Sequence, residues 1–140
     1  GGNLAYNQLL AGGTFRPGEE EIAAAIVEAS SVNIINTARD KIDLAELKPL
    51  VKRCNLLITN DTGPRHYAVA FDIPHIVLMG PTNPIYTESN LEHSVVMQKD
   101  IACIPCHKKS CPLGHHACMR ELTPSYVLEA CQSFLNGAPA

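Results

Sequence analysis

Residues 56–79 read LLITNDTGPRHYAVAFDIPHIVLM, and the order of apolar and turn-forming residues in this stretch decides the fold. Leu56-Leu57-Ile58-Thr59 is a short apolar run of the kind that forms a strand. From Gly63 to Phe71 the composition is helical, and Ile73-Pro74 ends that helix, because the residue before a proline is pushed out of α-helical geometry. Ile76-Val77-Leu78-Met79 is then apolar throughout, as suits a strand covered on both faces. The segment predicts a β-α-β unit in which Thr59 to Gly63 closes a strand and opens a helix.

The pattern extends in both directions. Upstream, Val32-Asn33-Ile34-Ile35-Asn36 reads as a strand, and Asp43 caps a helix with Leu44, Leu47, Leu50 and Val51 on its apolar stripe. Pro49 falls inside that helix and is expected to interrupt or divide it, since proline removes a hydrogen bond and crowds the preceding turn. Before these elements, Ile22, Ala25, Ile26 and Ala29 repeat at helical spacing behind Glu19, Glu20 and Glu21, acidic residues that favour a helix start. Residues 1–18 are rich in Gly and Asn and carry one strand-like patch, Leu9-Leu10-Ala11. Downstream, Val95-Val96-Met97 supplies a further strand. A last helix opens with Thr123 as N-cap and Pro124 at its first position, bears Val127, Leu128, Cys131, Phe134 and Leu135 on one face, and precedes Gly137 and Pro139. Helices alternating with apolar strands imply an α/β fold, a Rossmann-like parallel sheet with helices on both faces, whose ligands bind at the carboxyl ends of the strands. The expected organisation is one domain over 19–140, with an N-terminal segment at 1–18 and a Cys-rich insert at 103–118.

The whole chain has 140 residues, a length that buries one core, and a formal charge of -3 with both signs interspersed. That distribution offers no positive stripe for a phosphodiester backbone, so nucleic acid is not an expected partner. No apolar run approaches the roughly 20 residues that span a bilayer, and Gly1-Gly2-Asn3 begins nothing like a signal peptide, so the expected location is cytoplasmic.

Two stretches carry chemistry. Thr59-Asn60-Asp61-Thr62-Gly63-Pro64-Arg65-His66 lies where a strand gives way to a helix, and free backbone N–H groups at a helix start attract anions. Gly63 permits close approach to a phosphate, Thr62 adds a hydroxyl, and His66 stands one turn into the helix. Asp61 would repel an anion, so it fits better as an acceptor for a hydroxyl or an orienter of the loop; a simple helix cap needs the same residue type. The second stretch is Cys103-x2-Cys106-x4-Cys111-x6-Cys118 with His107, His115 and His116, soft ligands sufficient for zinc or an iron–sulfur site. The wide second spacing suits equally a loop whose thiols are reduced or stapled. Lys108, Lys109 and Arg120 add local positive charge that either solvates the surface or faces an anionic partner.

Asn60-Asp61-Thr62-Gly63-Pro64-Arg65-His66, followed by Ala68, Ala70, Ile73-Pro74 and Met79-Gly80-Pro81-Thr82-Asn83-Pro84, resembles the ADP-heptose:lipopolysaccharide heptosyltransferases, glycosyltransferase family 9. Cys103-Ile104-Pro105-Cys106, Cys111-Pro112-Leu113, His115, Cys118-Met119-Arg120 and Leu122-Thr123-Pro124 resemble the heptosyltransferase II branch. The resemblance runs over residues 19–136. It implies the C-terminal domain of a GT-B enzyme, in which two Rossmann-like domains face each other and the C-terminal one holds the nucleotide sugar. By this likeness Asp61, Thr62, Gly63 and His66 contact the diphosphate and sugar of ADP-heptose, Glu19 binds the adenosine ribose, and Ile42 lies beside the adenine. Glu20 and Glu21 leave that glutamate's register open, and three acidic residues also make an ordinary solvated cap.

The resemblance further implies heptose transfer to the lipid A–core acceptor with inversion, no cofactor required for transfer, and peripheral contact with the inner face of the cytoplasmic membrane. The family's catalytic base and acceptor site belong to an N-terminal domain to which nothing in this sequence corresponds, so the chain is expected to bind donor and to have little transferase activity alone. Two alternatives remain open: another GT-B protein such as a nucleotide-sugar epimerase, and a non-catalytic nucleotide- or metal-binding module.

Overall fold

The computed structural model of the chain describes residues 9–11, 19–40, 42–60, 63–81 and 93–135. It divides into two compact units, Gly1–Arg53 and Cys54–Ala140. Both are α/β, with parallel strands and with helices between β1 and β2 and between β3 and β4, as the alternation predicts.

In the first unit, β1 (Leu9–Ala11) pairs in parallel with β2 (Ile34–Asn36), Leu9 opposite Ile34 and Ala11 opposite Asn36. The helix between them, α1 (Glu19–Ala29), lies against both strands. Ala23 is its buried residue and Val27 is half-buried, while Ile22 and Ile26 are 63% and 50% exposed. The helix is apolar on more than one side, so two stripes share the helical period; the one carrying the small Ala23 side chain is covered. Asn36 ends β2 by accepting the Ala38 N–H at 3.1 Å through its side-chain oxygen, which turns the chain into a short 3-10 helix, Thr37–Asp40.

Helix α2 (Leu44–Lys52) begins with a reciprocal cap: Asp43 accepts the Glu46 N–H at 2.8 Å, and Glu46 accepts the Asp43 N–H at 3.0 Å. It runs through Pro49 to Lys52, against the expectation of an interruption. Ala45, whose carbonyl loses its usual donor, and Pro49 itself are both exposed, so the loss falls on the solvent side of the helix, while buried Leu47 and Val51 hold the turns on either side.

In the second unit, β3 (Leu57–Asn60), β4 (His75–Leu78) and β5 (Ser94–Met97) form a parallel sheet in that order. Leu57 lies opposite His75 and His75 opposite Ser94, with the pairing unbroken to Asn60, Leu78 and Met97. The middle strand starts one residue earlier than its apolar run, because buried His75 joins the ladder and donates from Nδ1 to the Ile73 carbonyl at 2.8 Å. Helix α3 (Gly63–Ala70) packs on β3 and β4, with Ala68 fully buried and Arg65 turned inward. After the single turn α4 (Ala117–Arg120), helix α5 (Pro124–Leu135) opens as expected: the Thr123 hydroxyl accepts the Tyr126 N–H at 3.4 Å.

The core of this unit gathers Ile76, Met97 and Cys131, with Val95, Leu122, Val127, Ala130 and Phe134 against them. Leu128, expected on the covered face of α5, is 56% exposed, and Ala130 takes a place in the core. Ile76→Ala is expected to lower unfolding free energy by about 3 kcal/mol, because it leaves a cavity beneath a fully buried residue. Leu128→Ala should cost less than about 1 kcal/mol. Chemical denaturation of both variants checks the assignment of the α5 face.

Candidate functional site

The register that brings Asn60 level with Leu78, and Leu78 level with Met97, lines up the carboxyl ends of the three strands. Just beyond Asn60, α3 begins at Gly63. Gly63 and His66 lie one turn apart on the same side of the helix, and both are exposed, while Arg65 between them is 2% exposed. The helix start thus presents its positive dipole end and the His66 ring to solvent at the edge where ligands of α/β sheets bind. Asp61 and Thr62 lie outside the described residues.

Glu19 and Ile42 belong to the other unit. Glu19 is the first residue of α1, with its side chain outside the described set, and Ile42 is half-buried directly ahead of the α2 cap. The structure therefore brings Gly63 and His66 together on one helical turn and places Glu19 and Ile42 in the other unit.

Residues that follow β4 have a role the sequence did not reveal. The Met79 N–H donates to the Met97 carbonyl at 3.0 Å, and Gln98 donates from Nε2 to the Gly80 carbonyl at 2.8 Å. The His107 N–H donates to the Pro81 carbonyl at 3.0 Å, which ties the Cys-rich insert to the end of β4. Gly80 is buried so closely that a Cβ there would stand 2.9 Å from the Met119 sulfur and 3.6 Å from the Cys118 sulfur. The Met79-Gly80-Pro81 triplet was visible in the sequence, but its partners come from the insert and from the residue after β5.

Beside this junction lies a cavity of about 130 Å³, lined by Cys103, Cys106, Cys111 and Cys118 together with Lys108, Lys109, His115 and His116. All four thiols are free. Among the described residues, no three Cys, His, Asp or Glu side chains converge closely enough to hold a metal ion as they stand. The chain folds back on itself after Cys111 through left-handed conformations at Gly114 (φ 73°) and His116 (φ 50°). Backbone N–H groups consequently face the Cys111 sulfur, that of His116 with most effect and those of Leu113, His115 and Gly114 beside it. They hold its thiol below the ordinary cysteine range despite an opposing push from burial. Cys54 and Cys131 are displaced the other way, each raised by burial.

Comparison with known proteins places these features in a family. A family model described as glycosyltransferase family 9 (heptosyltransferase) matches residues 5–117. The lipooligosaccharide heptosyltransferase 2 of Campylobacter jejuni is 32% identical over 114 residues, which are 81% of this chain and 35% of the relative. Among solved structures, the ADP-heptose lps heptosyltransferase II of E. coli superposes with a TM-score of 0.73 at 23% identity, over 93% of this chain and 37% of its own. The glycosyl transferase family 9 structure from Veillonella parvula gives a TM-score of 0.68 at 27% identity, over 87% of this chain and 35% of its own. The chain spans about a third of the length of the curated relatives it matches. Among the described residues no helix is long and apolar enough to cross a membrane.

The opposed shifts of the cysteines predict an order of reaction. In the reduced chain, Cys111 carries thiolate at a lower pH than Cys54 or Cys131, so a thiol alkylating reagent applied as pH is raised should modify Cys111 before either of them. Peptide mass spectrometry after brief labelling reads the order; earlier modification of Cys54 would contradict the assignment.

Proposed function

Because the chain belongs to glycosyltransferase family 9, the heptosyltransferases, we propose that it is the donor-binding part of an enzyme that transfers heptose from ADP-heptose to the inner core of lipopolysaccharide. The observation that carries the reading is the exposed first turn of α3, with Gly63 and His66, at the level carboxyl edge of a parallel sheet. The names of the relatives supply the sugar: the Campylobacter jejuni protein is a lipooligosaccharide heptosyltransferase, and the E. coli structure is of an ADP-heptose enzyme.

In this reading the first N–H groups of α3 and the His66 ring receive the diphosphate, and Thr62 adds a hydroxyl donor. Asp61 accepts a hydroxyl of the heptose, Glu19 accepts the ribose hydroxyls, and Ile42 gives the adenine an apolar neighbour. Transfer with inversion requires an acceptor alkoxide to attack the anomeric carbon as the bond to the diphosphate breaks. The negative charge then grows on the departing ADP, and donors fixed at a helix start stabilise it at that moment. Removing the acceptor's proton is the task of a carboxylate base in the facing domain of the GT-B pair, which the proposal assigns to the part of the relatives that this chain does not span. The lipid-borne acceptor places the reaction at the cytoplasmic face of the inner membrane.

Calorimetric titration of the purified chain with ADP and ADP-heptose tests the proposal. Saturable binding is expected, weakened about tenfold by His66→Ala through loss of a charge-assisted hydrogen bond, and weakened for ADP-heptose more than for ADP by Asp61→Ala. A folded chain that binds neither ligand, or binds both unchanged after both substitutions, would remove the donor assignment.

A further inference from the structure

We propose that residues 101–120 form a membrane-docking surface for a bilayer that carries anionic lipids. Leu113 and Met119 enter the headgroup layer, and Lys108, Lys109 and Arg120 meet the lipid phosphates. The proposal deepens the reading of a transferase with a lipid-borne acceptor and rests on that reading for its purpose, while the surface itself uses neither the start of α3 nor the donor.

The charge pattern points to it first. The chain has a formal charge of -3, yet residues 101–120 contain Lys108, Lys109 and Arg120 and no Asp or Glu. Asp100 and Glu121 flank the stretch on either side. A negative chain that gathers cations in one acid-free stretch attracts anionic surfaces there. The same stretch exposes apolar surface: Leu113 is 64% exposed and Met119 40%, and Pro112 is exposed beside them. A single exposed leucine is ordinary on a protein surface. Here, however, Leu113, Met119 and Pro112 line the same cavity of about 130 Å³ as Lys108 and Lys109, so apolar and cationic side chains border one hollow of the insert. Such a surface is drawn to anionic headgroups by its charge and gains further by burying its apolar side chains among them. A polynucleotide would engage the cations and gain nothing from Leu113.

The surface is held in place before anything binds. The His107 N–H is bonded to the Pro81 carbonyl, the Met119 side chain lies over Gly80, and Leu122, just past the stretch, packs on the core of the second unit. Lipid contact therefore orders little new backbone, which lowers the cost of binding. Three cations and two apolar side chains make a reversible attachment, because firm anchoring takes a stronger signal. The role is to orient the chain at the bilayer where a lipid-borne acceptor is presented.

Co-sedimentation of the 140-residue chain with lipid vesicles, in the absence of nucleotide, tests the proposal. Binding is expected to vesicles of phosphatidylethanolamine and phosphatidylglycerol, and at least about tenfold weaker binding to phosphatidylcholine alone. Raising the ionic strength from about 0.02 M to about 0.5 M should weaken it by a similar factor, since salt screens the attraction. Lys108→Glu with Lys109→Glu should lower binding by about tenfold or more, whereas Lys48→Glu with Lys52→Glu, the same charge change in the first unit, should leave it unchanged. Leu113→Glu should also weaken it several-fold. All five side chains are exposed, and the lipid and salt comparisons are read on the unaltered chain, so a misfolded variant does not obscure the answer. No binding to the anionic vesicles at low salt, equal binding to both lipid compositions, undiminished binding by Leu113→Glu, or equal loss with both charge-reversed pairs would each overturn the proposal. A chain that binds ADP and no vesicle loses the docking surface alone; one that binds vesicles and no nucleotide keeps the surface and loses the donor site.

Discussion

The hydrogen-bonded position of β4 between β3 and β5 is the constraint on which the second unit depends. The backbone of β4 is paired on both sides, and α3 and α5 pack against its side chains. His75, Ile76 and Val77 are accordingly all buried. Ile76 then gives α5 its docking surface, and the parallel register sets where each strand stops. Because β3 and β4 stop level, the start of α3 and the Met79-Gly80-Pro81 turn both belong to the carboxyl edge of one sheet.

That edge carries two distinct local features. At α3 the useful property is unspent hydrogen-bonding capacity: N–H groups at a helix start have no partner within the helix, and an anion supplies one. At the cysteine cavity the backbone N–H groups after Cys111 lower the pKa of a thiol belonging to the protein. Gly80 sits at the junction with the insert, and its missing Cβ is a packing requirement, since even one added carbon would meet Met119 and approach Cys118. The insert's backbone bond to Pro81 holds its start to the same turn.

The first unit shows how far capping and burial outweigh local propensity. Pro49 lies inside α2 and removes one hydrogen bond, yet the helix persists, because Asp43 and Glu46 satisfy each other's backbone at its start and Leu47 and Val51 are buried along it. The exposed position of Pro49 keeps the loss inexpensive. In α1 the short Ala23 side chain is buried, while Ile22 and Ile26, the bulkier residues of the competing stripe, remain exposed.

The sequence by itself determined the order of the five strands and of the helices α1, α2, α3 and α5, the parallel α/β class, the strand-to-helix loop before Gly63 and the crowding of four cysteines in one stretch, because each is a property of neighbouring residues or of a short period. Its likeness to glycosyltransferase family 9 was legible for the same reason, as local runs such as Asn60 to His66. The choice between two helical stripes in α1, the exposure of Leu128, the entry of His75 into β4 and the seating of the insert on Gly80 were decided by tertiary structure alone. Each depends on which surface another segment covers, and a one-dimensional pattern of apolar residues carries no record of the covering partner.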